Sequence, residues 1–311
     1  MDDLASFAII FLIVVVFGFI NEKTLRLTDE IALMLFTTIA TLIVLVLRVA
    51  GVVQTEDFLY AKFDLNKLLV DGVLCFMLFA GSAGIKISKL KSDIKLITSL
   101  SLLTTLLGAV IFGALFFLVS KISGVGLSFP ICLLFGAIVS PTDPIAATSI
   151  LRKFNLPRRT GLVIEAESLF NDGVGVALFV CFSGIVKHAQ SENFFLLLFQ
   201  ELGGGIAVGL AAGFLSFQLF KRTSNSFRRI AISLMAVAGA YAICTSLNFS
   251  GPIAAVVCGI FYATQKEKLK DQDFDHYDKF WEVIDVLANS AVYVIIGFYA
   301  AFVLNVPNAV I

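Results

Sequence analysis

The sequence predicts an all-α membrane protein, a polytopic bundle of about ten transmembrane helices. Three observations support this fold class. Hydrophobic residues make up 59% of the 311 positions and charged residues only 15%, whereas soluble domains carry about 45–50% apolar and about 25% charged residues. The mean hydropathy is +0.95. The apolar residues are also gathered into runs close to the roughly 20 helical residues that cross a bilayer.

Ten apolar runs follow one another along the chain, separated by short polar connections, and we expect them to form a single membrane domain over residues 1–311. Backbone groups inside a bilayer must be hydrogen-bonded within the span, so helices are the expected form. The ninth run is short and begins at Gly251-Pro252, so it is either tilted or paired with the eighth as a re-entrant element. The predicted helices cover residues 4–20, 31–53, 68–85, 94–119, 129–151, 160–186, 194–220, 230–247, 251–264 and 280–304.

The distribution of Lys and Arg predicts how these helices are oriented. The odd-numbered connections between the runs hold 18 of the 23 basic residues, and the even-numbered connections hold 5. Basic residues accumulate in cytoplasmic loops of membrane proteins. We therefore expect the odd-numbered connections to be cytoplasmic and the N-terminus to lie outside.

Two of the six prolines flank a Thr-Asp pair inside the fifth run, in the stretch Pro141-Thr142-Asp143-Pro144. Each proline removes a backbone donor and clashes with the carbonyl four residues earlier, at a cost of about 3 kcal/mol or more. We therefore expect a broken helix here, and such breaks are tolerated at membrane depth where they line a cavity or a site. Asp143 could simply cap the second half-helix, but a carboxylate in mid-membrane favours a functional role.

The sixth run carries two polar pairs, each with a spacing of four residues. They are Glu167 with Asn171 and Ser168 with Asp172. Residues four apart share one face of a helix, so these side chains form a polar stripe. Asp172 is about thirteen residues from the cytoplasmic end of its helix, near the midplane, and Asp143 approaches the same depth from the other side. Because a short connection joins the two runs, we expect the two carboxylates to be neighbours.

The seventh run contains Gly205, Gly209 and Gly213, which repeat every four residues and so line one helical face. A face of small residues lets another helix approach closely. The pattern favours packing against a helix of the same subunit over a contact between two subunits, and the second interpretation stays open at this point.

The polar side chains of the fifth and sixth runs are oxygen donors, which suit a small monovalent cation better than a soft transition metal. Desolvation favours the protonated form of a buried carboxylate, and a bound cation favours the ionised form, so a cation and a proton compete for the same group. Asp172 is the best candidate for that group. If the site opens to each side in turn, the result is obligatory exchange. We therefore predict a secondary antiporter for a monovalent cation and H⁺, without a cofactor.

Other function classes receive less support from the sequence. It contains no cluster of His and Cys with metal-ligand spacing, no nucleophile–base pair and no Gly-rich phosphate loop, so we do not expect an enzyme. An intramembrane aspartyl protease would also use two midplane aspartates, but the prolines around Asp143 argue against it. Zero net charge gives no indication of a nucleic-acid partner. A channel-like or degenerate protein that binds ions without exchanging them stays open.

Three stretches resemble the monovalent cation–proton antiporter-1 family, which contains bacterial and animal sodium/proton exchangers. They are residues 141–144, residues 167–173 and the stretch from Phe280-Trp281 through Asn289 to Gly297. The resemblance covers essentially the whole chain. It implies an inverted-repeat antiporter fold of about thirteen helices, in which a core domain moves against a dimerisation domain. It also implies a homodimer in the plasma membrane.

The same resemblance implies roles for individual residues. Na⁺ would bind at Thr142, Asp143, Ser168 and Asp172. Glu167 and Asn171 would support that site structurally, while Pro141 and Pro144 shape the break. An Asn before the acid, rather than a second Asp, resembles the electroneutral branch of the family, which fits one cation exchanged for one proton.

The sequence also departs from the family pattern. Many relatives carry a Glu where this chain has Ala80, so one potential ligand is missing, and Glu165 has no place in the pattern and is expected near the interface. The family's later helices, with a Gly-Leu-Arg-Gly stretch and the second broken helix, are not among these 311 residues. We therefore expect this chain on its own not to transport. The alternative function is an ion-binding fragment or degenerate homologue.

The predicted orientation can be checked by cysteine labelling. A cysteine placed in the connection after Leu151 should react with an impermeant reagent only from the cytoplasmic side, and one placed at Ser191 only from outside. The reverse pattern of labelling would contradict the orientation inferred from the basic residues.

Overall fold

The computed structural model describes residues 3–49, 73–85, 92–142, 158–188, 194–269 and 274–304. Within these ranges the chain forms ten α-helices and no β-strand. The helices are α1 (Asp3–Lys23), α2 (Asp29–Val49), α3 (Leu74–Ala83), α4 (Ile94–Ile122), α5 (Phe129–Val139), α6 (Arg158–His188), α7 (Phe194–Phe220), α8 (Ser226–Ser246), α9 (Gly251–Lys266) and α10 (Asp275–Leu304).

The helices lie close to the predicted segments, with differences at their ends. Helix α7 covers the same residues as the seventh predicted segment, whereas α8 begins at Ser226 and α10 at Asp275, four and five residues before their predicted starts. Asn225 caps α8 and accepts a hydrogen bond from the backbone N–H of Arg228. The acids Asp275 and Asp278 occupy the first turn of α10, where they interact favourably with the helix dipole. The second, third and fifth predicted segments are described only in part, because residues 50–53, 68–72 and 143–151 lie outside the described residues.

Four of the described helices contain stretches long and apolar enough to cross a membrane. These stretches are Ile94–Ile122, Phe199–Phe220, Ser226–Ser246 and Asp275–Gly297, and shorter apolar stretches with described side chains lie at Ile31–Val44, Leu74–Ala83, Phe129–Val139 and Val174–Val186. Large apolar side chains along α4 point outward, among them Leu103, Ile111 and Leu118, each more than half exposed. Such a surface is stable in contact with lipid rather than water.

The contacts separate the chain into two compact units. One comprises Met1–Met77 and Phe280–Ile311, and the other comprises Leu78–Lys279. In the first unit, α1, α2 and the later part of α10 share a core that includes Ile10, Leu33 and Val294. Gly297 allows α10 to approach α2 closely, since a Cβ atom at this position would lie 2.8 Å from the Cβ of Thr37.

In the second unit, α4 and α5 pack so closely that their backbones are in contact. A Cβ atom on Gly136 would lie 2.0 Å from the carbonyl oxygen of Ala109, and one on Gly113 would lie 3.0 Å from the carbonyl oxygen of Cys132. The two backbones therefore touch at glycines on both helices. This contact fixes the position of α5 up to the residue where it ends.

The glycine face of α7 packs against α9 within the same chain. A Cβ atom on Gly205 would lie 2.7 Å from the carbonyl oxygen of Ser250, and one on Gly209 would lie 2.6 Å from that of Ala254. Gly213 faces the ring of Phe261 at 3.1 Å. The prediction that this face packs within one subunit is confirmed. Helix α9 is separate from α8, because Ser250 begins it by accepting a hydrogen bond from the backbone N–H of Ile253.

Substitution of two glycines on α7 tests this packing. Gly209→Ala should lower the free energy of unfolding by about 1–3 kcal/mol, because the new methyl group meets backbone atoms of α9 that cannot move aside. Gly203→Ala is the matched control, since the nearest atom to its new Cβ lies 4.0 Å away. It should be neutral or stabilising by up to about 1 kcal/mol through helix propensity. Thermal unfolding in detergent measures both. Equal effects of the two substitutions would contradict the close approach.

Candidate functional site

Helix α5 ends where the prolines predict a break. Its last helical residue is Val139, and Ser140 closes the helix with its N–H hydrogen-bonded to the carbonyl of Gly136. Pro141 has no N–H to continue the ladder, and neither Pro141 nor Thr142 is helical. The described part of the chain therefore stops two residues into the break. Asp143 and Pro144 lie outside the described residues.

Helix α6 supplies the side chain that contacts the broken end of α5. The side-chain Nδ2 of Asn171 donates a hydrogen bond to Thr142 Oγ1 at 2.8 Å. Asn171 is 1% exposed, whereas Thr142 is exposed. One turn further along α6, a Cβ atom on Gly175 would lie 2.4 Å from the Cγ of Pro141. The hydrogen bond and this glycine contact together hold the end of α5 against α6.

Glu167 lies one turn before Asn171 and faces α4 rather than α5. Thr104 Oγ1 lies 3.2 Å from Glu167 Oε1, and Ser101 Oγ donates to the backbone carbonyl of Glu167 at 3.0 Å. Glu167, Asn171 and Gly175 therefore form one line along α6 that contacts α4 first and then the end of α5. Such contacts fit the structural role that the sequence analysis predicts for Glu167, which stays a prediction.

Two buried oxygen atoms near the break have no hydrogen-bond partner in the described part of the chain. They are Asn171 Oδ1, the end of the amide that does not contact Thr142, and Ser140 Oγ. Most buried polar atoms in proteins are hydrogen-bonded to protein or to ordered water, so unsatisfied ones require an explanation. Ser140 lies three positions before Asp143, and Asn171 directly precedes Asp172. The side chains of both acids lie outside the described residues.

The structure brings together only part of the predicted ligand set. It places Thr142 against Asn171, and it buries Ser168 on α6, 2% exposed. Asp172 follows Asn171 in the same helix, but its side chain lies outside the described residues, as does all of Asp143. The same applies to the side chain of Glu165. The role of these residues as Na⁺ ligands remains a prediction.

The structure also identifies polar residues that the sequence analysis did not single out. Ser101 and Thr104 on α4 and Ser140 at the end of α5 contact or adjoin the site. In the other unit, Asp285 is half-buried in α10 and accepts a hydrogen bond from Asn289 Nδ2 at 3.3 Å. Asp285 is an ionisable residue inside the tenth apolar run, and this feature of the sequence could have identified it.

An ion pair fixes the beginning of α6 to the beginning of α4. The Nε and Nη2 atoms of Arg159 donate to the two carboxylate oxygens of Asp93 at 3.0 and 2.5 Å. Asp93 is buried, while the side chain of Arg159 is largely exposed. The hydrogen bond from Arg159 and the charge of its guanidinium hold the pKa of Asp93 below its usual value. This pair sets the position of α6 along α4 before the chain reaches Glu167 and Asn171.

The model of the family described as sodium/hydrogen exchanger, transmembrane, matches residues 11–311 of this chain. The chain belongs to the sodium/hydrogen exchanger family. The predicted family membership is thereby confirmed, and the chain is a multi-pass membrane protein of a transporter family.

Three relatives within the exchanger family illustrate the similarity. The Na(+)/H(+) antiporter NhaP of Pseudomonas aeruginosa is 30% identical over 287 residues, which cover 90% of this chain and 68% of that protein. NhaH of Halobacillus dabanensis is 25% identical, with 88% and 68% covered. ApNhaP of Aphanothece halophytica is 30% identical, with 74% and 44% covered.

The fold of this exchanger chain is similar to that of a solved antiporter. The structure of the sodium proton antiporter MjNhaP1 from Methanocaldococcus jannaschii at pH 8 matches with a TM-score of 0.74 and 21% sequence identity. The match covers 96% of this chain and 71% of the other. The predicted all-α antiporter fold is confirmed.

A double-mutant cycle tests the contact between α5 and α6. Asn171→Ala and Thr142→Val each remove one partner of the same hydrogen bond, so their effects on the free energy of unfolding should be non-additive by about 1 kcal/mol. Thr104→Val combined with Asn171→Ala is the control, because Thr104 contacts Glu167 instead. That pair should be additive. Additive effects for Asn171 and Thr142 would contradict a stabilising hydrogen bond.

The ion pair predicts a dependence of stability on pH. Because the pKa of Asp93 is lowered in the folded chain, the pair stabilises the fold fully above the unfolded pKa of about 3.9. That contribution disappears as the pH falls through the lower folded value. The wild-type chain should therefore be more stable than Asp93→Asn at pH 6, and the difference should shrink below about pH 4. Unfolding curves across this pH range measure it. A difference that grows on acidification would contradict the assignment.

Proposed function

We propose that this chain exchanges Na⁺, or another monovalent cation, for H⁺ across the membrane. The sequence predicts that the 311 residues on their own do not transport, and the vesicle assay described below decides between the two. The relatives that carry the name Na(+)/H(+) antiporter support this activity, and so does membership of the exchanger family. The observation on which the proposal rests most is the hydrogen bond from Asn171 to Thr142. This bond connects Thr142, just beyond the end of α5, to Asn171, which directly precedes Asp172 in α6.

The proposed mechanism is competition for the carboxylate of Asp172. Desolvation favours its protonated form, and a cation bound beside it favours its ionised form, so each ligand displaces the other. Thr142, Ser168 and Asp143 supply further oxygen ligands for the cation. Exposure of the site to one side of the membrane at a time then couples cation movement in one direction to proton movement in the other.

The exchange is proposed to be electroneutral. Position 171 holds an amide where a second acid would add another titrating group, and Asn171 is committed to Thr142 through its Nδ2 atom. One carboxylate that alternates between one Na⁺ and one H⁺ moves no net charge. An imposed potassium diffusion potential should therefore leave the exchange rate of reconstituted vesicles unchanged, and a rate that follows the potential would exclude this stoichiometry.

Asp172→Asn should abolish exchange and leave the chain folded. An amide cannot alternate between protonated and ionised forms, so neither ligand can displace the other. The measurement is ²²Na⁺ uptake driven by a pH gradient in vesicles that contain the purified chain. Asp275→Asn is the matched control, because Asp275 is an exposed acid paired with Lys279 at 2.7 Å, and it should exchange at the wild-type rate.

The same vesicles distinguish the outcomes. Exchange by Asp172→Asn at the wild-type rate would disprove the role of this carboxylate. Saturable ²²Na⁺ binding by the wild-type chain without uptake would instead identify an ion-binding protein that does not transport.

We also propose that the chain resides in the plasma membrane as a homodimer with its N-terminus outside. The uneven distribution of Lys and Arg supports the orientation, and the family resemblance supports the dimer. Light scattering of the purified chain in detergent, corrected for bound detergent, measures its subunit number, and a monomer would contradict the dimer.

A further inference from the structure

The turn between α7 and α8 presents an unbalanced positive charge at one end of two membrane spans. Lys221, Arg222 and Arg228 are all exposed in this turn, which we call the basic turn (residues 221–228). The chain carries no Asp or Glu between Glu201 and Glu267. No carboxylate close in sequence therefore offsets these three cations.

Several cations at other described helix ends have acidic partners. Arg159 pairs with Asp93, Lys266 with Asp278, and Lys279 with Asp275. Among the described residues, the three cations of the basic turn form no ion pair with a carboxylate. Within the described part of the chain, no carboxylate therefore competes with an external anion for these three cations.

An exposed aromatic side chain lies beside these cations. Phe227 is 83% exposed and directly precedes Arg228, and Leu219 on α7 is 52% exposed. The helices on either side, Phe199–Phe220 and Ser226–Ser246, are both long and apolar enough to span a membrane. The basic turn therefore lies where a span ends, at the level of the lipid headgroups, where amphipathic combinations of aromatic and basic residues concentrate.

The backbone of the basic turn is held in place by contacts with the rest of its unit. Arg229 is 2% exposed, and its Nε donates to the carbonyl oxygen of Thr223 at 2.8 Å. Its guanidinium lies over the rings of Phe274 and Phe220, at 4.6 and 5.4 Å from their centroids. Asn225 Oδ1 accepts from the backbone N–H of Arg228 at 3.1 Å. The exposed cations therefore project from a preorganised turn, which lowers the entropy lost on binding.

We infer that the basic turn binds the headgroups of anionic phospholipids at the bilayer surface. These three cations, which have no carboxylate partner among the described residues, attract the headgroup phosphate. Phe227 contacts the glycerol and upper acyl region of the same lipid. This aromatic contact and the position at the end of two spans favour a lipid over a soluble anion. The inference is independent of the proposed exchange activity.

Native mass spectrometry of the detergent-purified chain, titrated with phosphatidylglycerol or phosphatidylcholine, tests the inference. The variant Lys221→Gln/Arg222→Gln/Arg228→Gln should raise the apparent Kd for phosphatidylglycerol at least about tenfold, given the attraction of each basic residue to an anionic surface. Its Kd for phosphatidylcholine should change less than about twofold. The variant Arg222→Lys/Arg228→Lys keeps the charge and should bind phosphatidylglycerol within about threefold of wild type.

The matched control removes three exposed cations elsewhere, in the variant Lys23→Gln/Arg26→Gln/Lys95→Gln. It changes the net charge equally but acts at surfaces that also contain acids, such as Glu22 and Asp93, so phosphatidylglycerol binding should hardly change. Equal loss in both triple variants, or no loss in the first, would overturn the inference. If millimolar glycerol phosphate competed as effectively as phosphatidylglycerol, the ligand of the basic turn would be a soluble anion rather than a lipid. Phe227→Ala should weaken binding of both lipids, and an unchanged Kd would contradict the aromatic contact.

Discussion

The end of α5 just before Pro141 is the constraint on which the arrangement of α4, α5 and α6 depends. A helix that stops inside a membrane leaves carbonyl and amide groups without partners, and each one costs several kcal/mol in hydrocarbon. The chain can end α5 at Val139 only because other elements meet it there. Helix α4 supports α5 through glycine contacts at Gly113 and Gly136, and α6 supplies Asn171 to Thr142. The close packing at the glycines and the hydrogen bond from Asn171 therefore together stabilise the end of α5.

Helix α6 shows how the position of a site can be set from a distance. Its first turn is attached to α4 by Arg159 and Asp93, and its second contact with α4 comes at Glu167. Only after these two contacts does the helix reach Thr142 through Asn171. A helix is stiff along its axis, with a rise of 1.5 Å per residue, so contacts at Arg159 and Glu167 fix the depth of Asn171 and of the Asp172 backbone.

Much of this architecture follows from simple patterns in the sequence. Hydropathy located α7 to the residue, and the prolines located the end of α5, because both effects are local. The start of α8 was missed because Arg228-Arg229 was interpreted as part of a loop, although Asn225 was a visible capping residue. The earlier turns of α6 carry the polar side chains of the site, so the hydropathy of this segment is lower there than toward its end. The contact of Thr104 with Glu167 joins residues 63 positions apart, and no pattern within one helix predicts which faces of two helices will meet.

The length of α4 has a consequence for the membrane around it. Lys95 and Lys121 lie near its two ends, and exposed apolar side chains extend between them from Leu96 to Val119. The two lysines are 26 positions apart, which corresponds to about 39 Å of helix, while the hydrocarbon core of a typical bilayer is about 30 Å thick. The difference must be absorbed by tilt of the helix, by lysine side chains that reach toward the interface, or by lipid chains that stretch. The thickness of the surrounding bilayer therefore contributes to the stability of this fold.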